Sequence, residues 1–264
     1  MRKIAFFDID GTLTSEIDGS IPGSAVRAIR KARNNGHLMF INSGRCRQNI
    51  EERFVNIGFD GMICGCGTDI YCGKTEILYH PQPRAVIKAV LDAARAVNID
   101  ILFESKYEVC FDQTRSLKDP AAIRQYSEFL NRRYDLSHSV DSTDFVCDKF
   151  VIWFSSPEKL TAFRKVTDQW FECINRGGSF REFVPLGFSK ATGIQTVLDH
   201  YEMELSQAYA FGDSNNDLSM LSYVPNSVAM GNAQSPKLLS QVSYITTKAS
   251  EDGILNALTH FHFI

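Results

Sequence analysis

Two aspartates, Asp8 and Asp10, come directly after a short apolar run at the start of the chain, Ile4–Phe7. If the segment stays extended, alternate residues point to the same side, so the two carboxylates lie together. At roughly 4 Å and an intermediate effective dielectric, their repulsion is on the order of 4 kcal/mol. Such a pair needs a counter-ion or a raised pKa. Its residue types suit nucleophilic attack by one carboxylate and proton transfer by the other.

Polar residues follow two further apolar segments, and a lysine stands at the predicted start of a helix. In open α/β sheets, ligands bind beyond the carboxyl ends of the strands, so these residues are expected to face one crevice. Together with the first segment, the candidate site residues are Asp8, Asp10, Thr12, Ser43, Gly44, Arg45, Lys190, Asp213, Asn216 and Asp217.

The charges in this set predict a bound cation. Four aspartates stand against one lysine and one arginine, and the ligand atoms near them are oxygens rather than sulfur or imidazole nitrogen. A hard ion fits such a set, and Mg²⁺ held by carboxylates together with a substrate phosphate fits best. Phosphoryl transfer depends mainly on positioning and charge neutralisation, which Lys190, the Ser43 hydroxyl and backbone N–H groups near Gly11 and Gly44 can supply.

Alternating strands and helices at both ends of the chain are predicted to position these residues. The periodicity indicates strands over 3–8, 37–42 and 61–64, a helix over 22–35, and a polar helix ending near 56. It also indicates strands over 207–211, 226–230 and 243–246, with helices over 189–201, from 215, around 235–241 and at the end. Because parallel strands need long crossovers, this order predicts a doubly wound, parallel, Rossmann-like α/β core from residues 1–82 and 185–264.

The middle of the chain has a different pattern. It predicts a helix over 84–97, a hairpin over 101–113, a helix around 120–132, a strand over 149–154, a helix from Pro157, and two strands over 171–175 and 179–184. This order indicates an inserted α+β domain over 83–184 with a largely antiparallel sheet. Within it, Glu104, Lys106, Arg181 and Glu182 are predicted to be surface residues, and Trp153 and Phe154 to be core residues.

Composition excludes several classes of function. The net charge of −3 and the pI near 6.1 disfavour sequence-independent binding to nucleic acid. No apolar segment reaches the roughly 18 residues that a membrane-spanning helix needs, and the N-terminus lacks an apolar signal core, so a cytoplasmic protein is expected. The seven cysteines are expected to be reduced structural thiols; a zinc cluster of Cys64, Cys66, Cys72 and His80 is the disfavoured alternative.

The polar segments resemble the four motifs of the haloacid dehalogenase superfamily. Asp8, Asp10 and Thr12 match Asp-x-Asp-x-Thr, Ser43 matches the second motif, Lys190 the third, and the segment 212–217 the fourth. Segments 227–233 and 251–254 are similar to the Cof-like sugar-phosphatase branch. The resemblance implies Asp8 as nucleophile and Asp10 as general acid and base that also offers Mg²⁺ a backbone carbonyl.

The same resemblance implies further roles and a cap. Asp213 would bind Mg²⁺, Asn216 and Asp217 would complete or brace its shell, and Lys190 would hold the phosphate and the nucleophile together. Caps of this branch close over the phosphate and choose the leaving group. The chain departs from the branch at 64–69, Cys-Gly-Cys-Gly-Thr-Asp, where many relatives have Asn-Gly-Ala.

The predicted function is Mg²⁺-dependent hydrolysis of small phosphorylated metabolites, with sugar phosphates as the favoured class, through an aspartyl-phosphate. Two alternatives stay open: a phosphomutase of similar fold, and a regulatory module that binds phosphate without catalysis. A monomer or a small homo-oligomer is expected.

Overall fold

Buried strands from the two ends of the chain build one sheet, and strands from the middle build another. The structure is a computed structural model that describes residues 1–264. It divides into a core unit, comprising Met1–Arg45, Ile50–Tyr79 and Phe188–Ile264, and an inserted unit, comprising Cys46–Asn49 and His80–Gly187.

Thirteen strands and nine α-helices make up the two units. In chain order the strands are β1 Ile4–Phe7, β2 Leu38–Asn42, β3 Gly61–Cys64, β4 Asp69–Cys72, β5 Thr75–Tyr79, β6 Asp100–Glu104, β7 Val109–Phe111, β8 Lys149–Trp153, β9 Phe171–Asn175, β10 Phe180–Pro185, β11 Ala208–Gly212, β12 Asn226–Ala229 and β13 Tyr244–Ile245. The helices are α1 Gly23–Asn34, α2 Glu52–Val55, α3 Arg84–Val97, α4 Pro120–Asn131, α5 Pro157–Thr167, α6 Lys190–His200, α7 Leu218–Tyr223, α8 Pro236–Leu239 and α9 Gly253–His260.

The core sheet has the strand order β13-β12-β11-β1-β2-β3-β4-β5. The first six strands in this order pair in parallel, whereas β4 and β5 form an antiparallel extension at one edge. Strand β1 lies between β2 and β11, with Phe7 opposite Ile41 and Phe211. The carboxyl ends of these three strands therefore lie side by side, which brings together segments far apart in sequence.

Helices cover both faces of the core sheet because successive β1 side chains point to opposite faces. Ala5 and Phe7 belong to one buried cluster with residues of α1 and α9, whereas Ile4 and Phe6 belong to a second cluster with residues of α6 and α7. A strand buried on both faces is continuously apolar, as β1 is. Asp8, directly after the last residue of β1, is the first ionisable residue that follows this apolar strand.

The inserted unit has its own antiparallel sheet, in the order β7-β6-β8-β10-β9. One face packs around Phe150, whose ring contacts Phe163, Phe171 and Phe183. The other face carries Trp153 and Phe111, which stack on each other. Each unit thus has a separate apolar interior.

The predicted fold class is confirmed, with local corrections. The polar helix expected up to residue 56 is only a 3₁₀ turn over Arg47–Asn49 followed by the single-turn helix α2. The hairpin of β4 and β5 was not predicted. No helix of the chain is long and apolar enough to cross a membrane.

Two cap residues expected at the surface are buried. Lys149 donates hydrogen bonds to Glu104 and Glu182, and all three side chains are at most 6% exposed. The prediction that Glu104 and Glu182 lie at the surface was wrong. Their local sequence does not indicate that Lys149, on the neighbouring strand β8, pairs with both of them. Trp153 is buried, as predicted, and Phe154 packs partly buried against the same unit's apolar cluster.

Candidate active site

Asp8 stands at the carboxyl end of β1, in contact with the strand that carries the fourth motif. Its backbone N–H donates to Phe211 O at 3.0 Å, which continues the pairing of β1 with β11. The side chain is buried. A carboxylate in this position is held by the sheet rather than by a mobile loop, so its direction is fixed.

Lys190 bridges two of the predicted acids. Its Nζ donates to Asp8 Oδ1 and, at 2.7 Å, to Asp217 Oδ1, and the lysine is 1% exposed. It is the first residue of α6, whose N-terminus is closed by a capping box of Ser189 and Thr192. The helix start therefore sets where the ammonium group lies.

Asp217 is bound on both carboxylate oxygens. Besides Lys190 at Oδ1, its Oδ2 accepts from the backbone N–H groups of Asp213 and Ser214, each at 3.0 Å. The side chain is wholly buried. These contacts fix the turn that presents Asp213, so the geometry favours bracing over metal ligation for Asp217, one of the two roles that the sequence left open.

Three carboxylates form an acidic group with too little positive charge. Oxygen atoms of Asp8, Asp213 and Asp217 lie within 4.8 Å of one another. Burial raises the pKa of Asp8 to about 7, and Asp217 adds to the rise while Lys190 opposes it. Burial, followed by Asp217 and Asp8, raises the pKa of Asp213 to about 8. Burial alone would lower the pKa of Lys190, but Asp217 and Asp8 raise it overall.

These residues fit a divalent cation. Three carboxyl groups here face one ammonium group, and burial together with repulsion between the carboxylates raises the pKa values of Asp8 and Asp213. The donor atoms are all oxygens, which suits Mg²⁺. Asp8 and Asp213 are the side chains available to hold it, since both oxygens of Asp217 already accept hydrogen bonds from nitrogen donors.

Asp10 lies in the turn that follows β1 and not on an extended strand, so the prediction of a strand continuing to Asp10 was wrong, and Asp10 is the weakest of the named influences on the pKa of Asp8. The chain turns at Ile9, because the Thr14 N–H donates to Ile9 O at 3.0 Å. The Asp10 side chain is 59% exposed and accepts two hydrogen bonds from Arg45, at 2.6 and 3.0 Å. Arg45 also pairs with Glu51 at 3.2 Å. The two aspartates therefore occupy different environments, one buried with lysine and one exposed with arginine.

The remaining predicted residues are distributed around this centre. Thr12 is buried and donates its hydroxyl to Asp213 Oδ1 at 3.4 Å. Ser43 is buried at the end of β2, where its hydroxyl accepts from the Arg45 N–H at 3.2 Å, and Gly44 lies in the turn between them. The Asn216 carboxamide accepts from the Ser214 hydroxyl instead of joining the acidic group.

Sequence reasoning missed a buried amide beside the second motif. Asn42 Nδ2 donates to the backbone carbonyl of Lys190 at 3.0 Å, and Asn42 is fully buried. It connects the end of β2 to the start of α6. A buried asparagine that ends an apolar strand was the available signal, since such a group needs a hydrogen-bond partner.

The unusual loop after β3 also braces the second motif. Gly65 N–H donates to Arg45 O at 2.8 Å, and Cys66 N–H donates to Ser43 O at 3.1 Å. Gly65, Cys66 and Gly67 all have positive φ angles. The cysteines of this region, Cys64, Cys66 and Cys72, are buried thiols.

Comparison with known proteins gives matches over nearly the whole chain. The family model of the haloacid dehalogenase-like hydrolases matches residues 5–258. A Bacillus subtilis relative named "Putative phosphatase YkrA" is 30% identical over 261 residues, which cover 97% of this chain and 96% of that protein. Another from Bacillus subtilis, named 5-amino-6-(5-phospho-D-ribitylamino)uracil phosphatase YitU, is 26% identical over 272 residues, covering 96% of this chain and 95% of that protein.

A solved structure of the same superfamily also matches this chain over nearly its whole length. It is described as a sugar phosphatase of subclass IIB of this superfamily and is 25% identical, with a TM-score of 0.84. The alignment covers 99% of this chain and 100% of that one. These alignments therefore span both the core unit and the inserted unit of this chain.

Proposed function

Since the chain belongs to the haloacid dehalogenase-like hydrolase family and is a phosphoric monoester hydrolase, we propose that its substrates are small phosphorylated metabolites, with sugar phosphates as the favoured class. The proposed reaction passes through an aspartyl-phosphate on Asp8. The observation that carries this proposal is the buried Asp8 carboxylate at the end of β1, held by Lys190. Such a carboxylate is fixed in place for attack on a phosphorus atom.

Asp8 is proposed to act in the first step. One of its oxygens forms a bond to phosphorus while the bond from phosphorus to the leaving alcohol oxygen breaks. Asp10, as a carboxylic acid, gives its proton to that oxygen, and the alcohol departs. Lys190 stabilises the negative charge that Asp8 shares with the phosphoryl oxygens.

Water completes the reaction in the second step. The Asp10 carboxylate takes a proton from water as the water oxygen bonds to phosphorus and the bond to Asp8 breaks. Inorganic phosphate leaves, and both aspartates return to their starting states. Because Arg45 occupies both Asp10 oxygens, this ion pair must open before Asp10 can exchange protons with substrate or water.

Asp8 and Asp213 are proposed to hold Mg²⁺, with the backbone carbonyl of Asp10 as a further ligand by family resemblance. When bound, Mg²⁺ supplies positive charge that neutralises the carboxylates and the phosphoryl oxygens. Thr12 keeps Asp213 oriented, and Asp217 fixes the backbone from which Asp213 projects.

Relatives support a small phosphorylated substrate without naming it. One carries the name of a phosphoribitylaminouracil phosphatase, and one solved neighbour is described as a sugar phosphatase. We propose that substrate selection belongs to the inserted unit, which has a core of its own, and that the enzyme acts in the cytoplasm, since its seven cysteines are thiols.

A panel of phosphate esters, assayed for phosphate release with Mg²⁺ and with chelator, tests the proposal. Sugar phosphates should release phosphate only with Mg²⁺, and Asp8→Asn should lower kcat by roughly a thousandfold or more. Asp18→Asn is the matched control, because Asp18 is an exposed acid of the same segment bound to Ser20.

Three outcomes would overturn parts of the proposal. Interconversion of hexose phosphate isomers without phosphate release would identify a phosphomutase. Undiminished hydrolysis by Asp8→Asn would contradict an aspartyl-phosphate intermediate on Asp8. Full activity in the presence of chelator would contradict the proposed dependence on Mg²⁺. The intermediate itself is tested by mass spectrometry of acid-quenched Asp10→Asn, in which phosphate should be found on the peptide that contains Asp8.

A further inference from the structure

Asn232, just beyond the end of β12, connects the catalytic turn, defined as residues 8–16, to a C-terminal segment, defined as residues 246–251. Its Nδ2 donates to the backbone carbonyl of Gly11 at 2.8 Å, and its Oδ1 accepts from the Ala249 N–H at 3.2 Å. These partners fix which amide atom is nitrogen, because a carbonyl needs a donor and an N–H needs an acceptor. One side chain therefore joins three segments that are distant in sequence.

Gly11 is the residue through which this contact reaches the proposed catalytic groups. It stands between Asp10 and Thr12, and its N–H donates to Thr14 Oγ1 at 3.1 Å. The Asp213 carboxylate occupies the space that a side chain at position 11 would need. With φ at +79°, the residue also has a conformation that favours glycine. Gly11 is thus packed against Asp213 with both of its peptide groups hydrogen-bonded.

The carbonyl of Gly11 fixes the direction of the next N–H. Both belong to one planar trans peptide group, in which C=O and N–H point in opposite directions. The hydrogen bond from Asn232 therefore sets the direction of the Thr12 N–H, and the bond to Thr14 likewise sets the direction of the Asp10 carbonyl.

The segment that holds Asn232 is itself rigidly attached. Gly231 N–H donates to Thr247 O at 3.1 Å, and a side chain at position 231 would collide with backbone atoms of 246–248. Ser250 donates its N–H at 3.2 Å and its hydroxyl at 2.5 Å to the Glu16 carboxylate. The catalytic turn and the C-terminal segment are thereby connected at two points.

We infer that Asn232 is a positioning residue for phosphoryl transfer, acting by its hydrogen bond to Gly11 to hold the peptide groups on either side of that glycine in the reactive arrangement. This inference rests on the proposed function. It assigns the two amide atoms different tasks: Oδ1 anchors Asn232 to the C-terminal segment, and Nδ2 positions the catalytic turn.

Two substitutions separate these tasks. Asn232→Asp keeps an acceptor for Ala249 but replaces the donor to Gly11 with an oxygen that repels the carbonyl, whereas Asn232→Ala loses both. If positioning through Nδ2 matters, both variants lose kcat by roughly tenfold to a hundredfold, Asp at least as much as Ala, with KM changed less than threefold. If only the anchoring matters, Asn232→Asp keeps wild-type kcat and Asn232→Ala does not; that result overturns the inference.

Asn226 provides the matched control. It is a half-buried asparagine at the other end of β12, and its Nδ2 donates to Ser206 O at 3.0 Å and Ala208 O at 2.9 Å. Asn226→Ala and Asn226→Asp should lower the thermal unfolding midpoint while kcat stays within twofold of wild type. An equal loss of kcat at position 226 would show that any weakening of β12 suffices, which contradicts a special role for Asn232.

Hydrogen–deuterium exchange measured by mass spectrometry gives a readout that does not depend on activity. Asn232→Asp should speed exchange in a peptide spanning residues 8–14 and leave the strands β2 and β11 as protected as in the wild type. Unchanged exchange in that peptide would refute the positioning role even if kcat fell. Failure of the proposed function is recognised separately, because then the wild type hydrolyses no phosphate ester or Asp8→Asn stays active, whereas the exchange result at 8–14 is still obtained.

Discussion

Lys190 is the residue around which the acidic group is organised. Its ammonium group is buried between Asp8 and Asp217, where an uncompensated charge would be strongly unfavourable. The lysine therefore stabilises the fold and orients the proposed nucleophile at the same time. Asp213 belongs to the same acidic group but accepts no hydrogen bond from Lys190, and burial raises its pKa to about 8.

The different contacts of Asp213 and Asp217 predict different consequences when each is neutralised. Asp213→Asn should raise the Mg²⁺ concentration for half-maximal activity by about tenfold or more, because it removes a proposed ligand charge. Asp217→Asn should instead lower the free energy of unfolding by about 1–3 kcal/mol, because an amide nitrogen cannot accept the hydrogen bonds that Asp217 receives from Lys190 or from the N–H groups of Asp213 and Ser214. Mg²⁺ titrations of activity and denaturant unfolding measure the two effects. A larger rise in the Mg²⁺ requirement for Asp217→Asn would mean that Asp217 is a ligand.

Gly11→Ala is expected to inactivate the enzyme. The new methyl group would overlap the Asp213 carboxylate, and φ at +79° would be strained for alanine. We expect kcat to fall by roughly a hundredfold or more, since Asp213 or the turn must move. Gly19→Ala is the control, because Gly19 has φ at +68° but open space around it; it should show only the strain, about 1–3 kcal/mol in unfolding. Equal kcat for the two variants would contradict the packing argument.

At the scale of elements, predictions succeeded where the local pattern is long and failed where it is short. The helices α1, α3, α4 and α6 have the expected positions because their periodicity and flanking residues are explicit in the sequence. The segment after Arg45 was predicted as one helix but is a 3₁₀ turn and a single helical turn. Four of its residues, Cys46–Asn49, belong to the inserted unit, a constraint that a local pattern does not contain.

The irregular connection between α4 and β8 is held by a histidine that gives the inserted unit a pH dependence. His138 Nδ1 lies 2.6 Å from Glu108 and its Nε2 3.1 Å from Asp144, while its ring packs edge-on against Phe145. Glu108 first, and then Asp144, raise the pKa of His138, with burial opposing them. Protonated His138 therefore stabilises the folded state. This stabilisation is complete below the ordinary pKa of about 6.5 and disappears as pH rises through the raised value.

His138→Ala should thus lower the unfolding midpoint more at pH 5.5 than at pH 8.5. Thermal unfolding followed at both pH values measures the difference from the wild type. His200→Ala serves as the control for the loss of an imidazole ring, since His200 lies at the end of α6 and its ring packs edge-on against Tyr201. A His138→Ala effect equal at both pH values would show that only the packing against Phe145 matters.

At the scale of the whole molecule, the chain builds two separate apolar interiors. The core unit is stabilised by clusters on both faces of a mixed sheet, and the inserted unit by clusters on both faces of an antiparallel sheet. Separate interiors predict that each unit can lose stability by itself.

Phe150→Ala should destabilise the inserted unit selectively. Phe150 is fully buried among aromatic rings, so its truncation is expected to cost about 3–5 kcal/mol. Native-state hydrogen exchange should then speed up in β6, β8 and β10 and stay unchanged in β1, β2 and β11. Phe154→Ala, at a partly buried position of the same unit, should have a smaller effect of the same distribution. Uniformly faster exchange in both sheets would mean that the units unfold together.

The sequence by itself determined the class of fold and the class of enzyme, a phosphoric monoester hydrolase. Residue types and their short spacings, such as Asp8-x-Asp10 and the segment 212–217, are local properties, and so is the alternation of strands and helices. Only the tertiary structure decided which of these residues meet: that Lys190 joins Asp8 to Asp217, that Asp10 pairs with Arg45, and that Asn232 contacts Gly11. The physical reason is that these contacts depend on strand order, with β1 between β2 and β11, and strand order is set by packing between segments far apart in the chain.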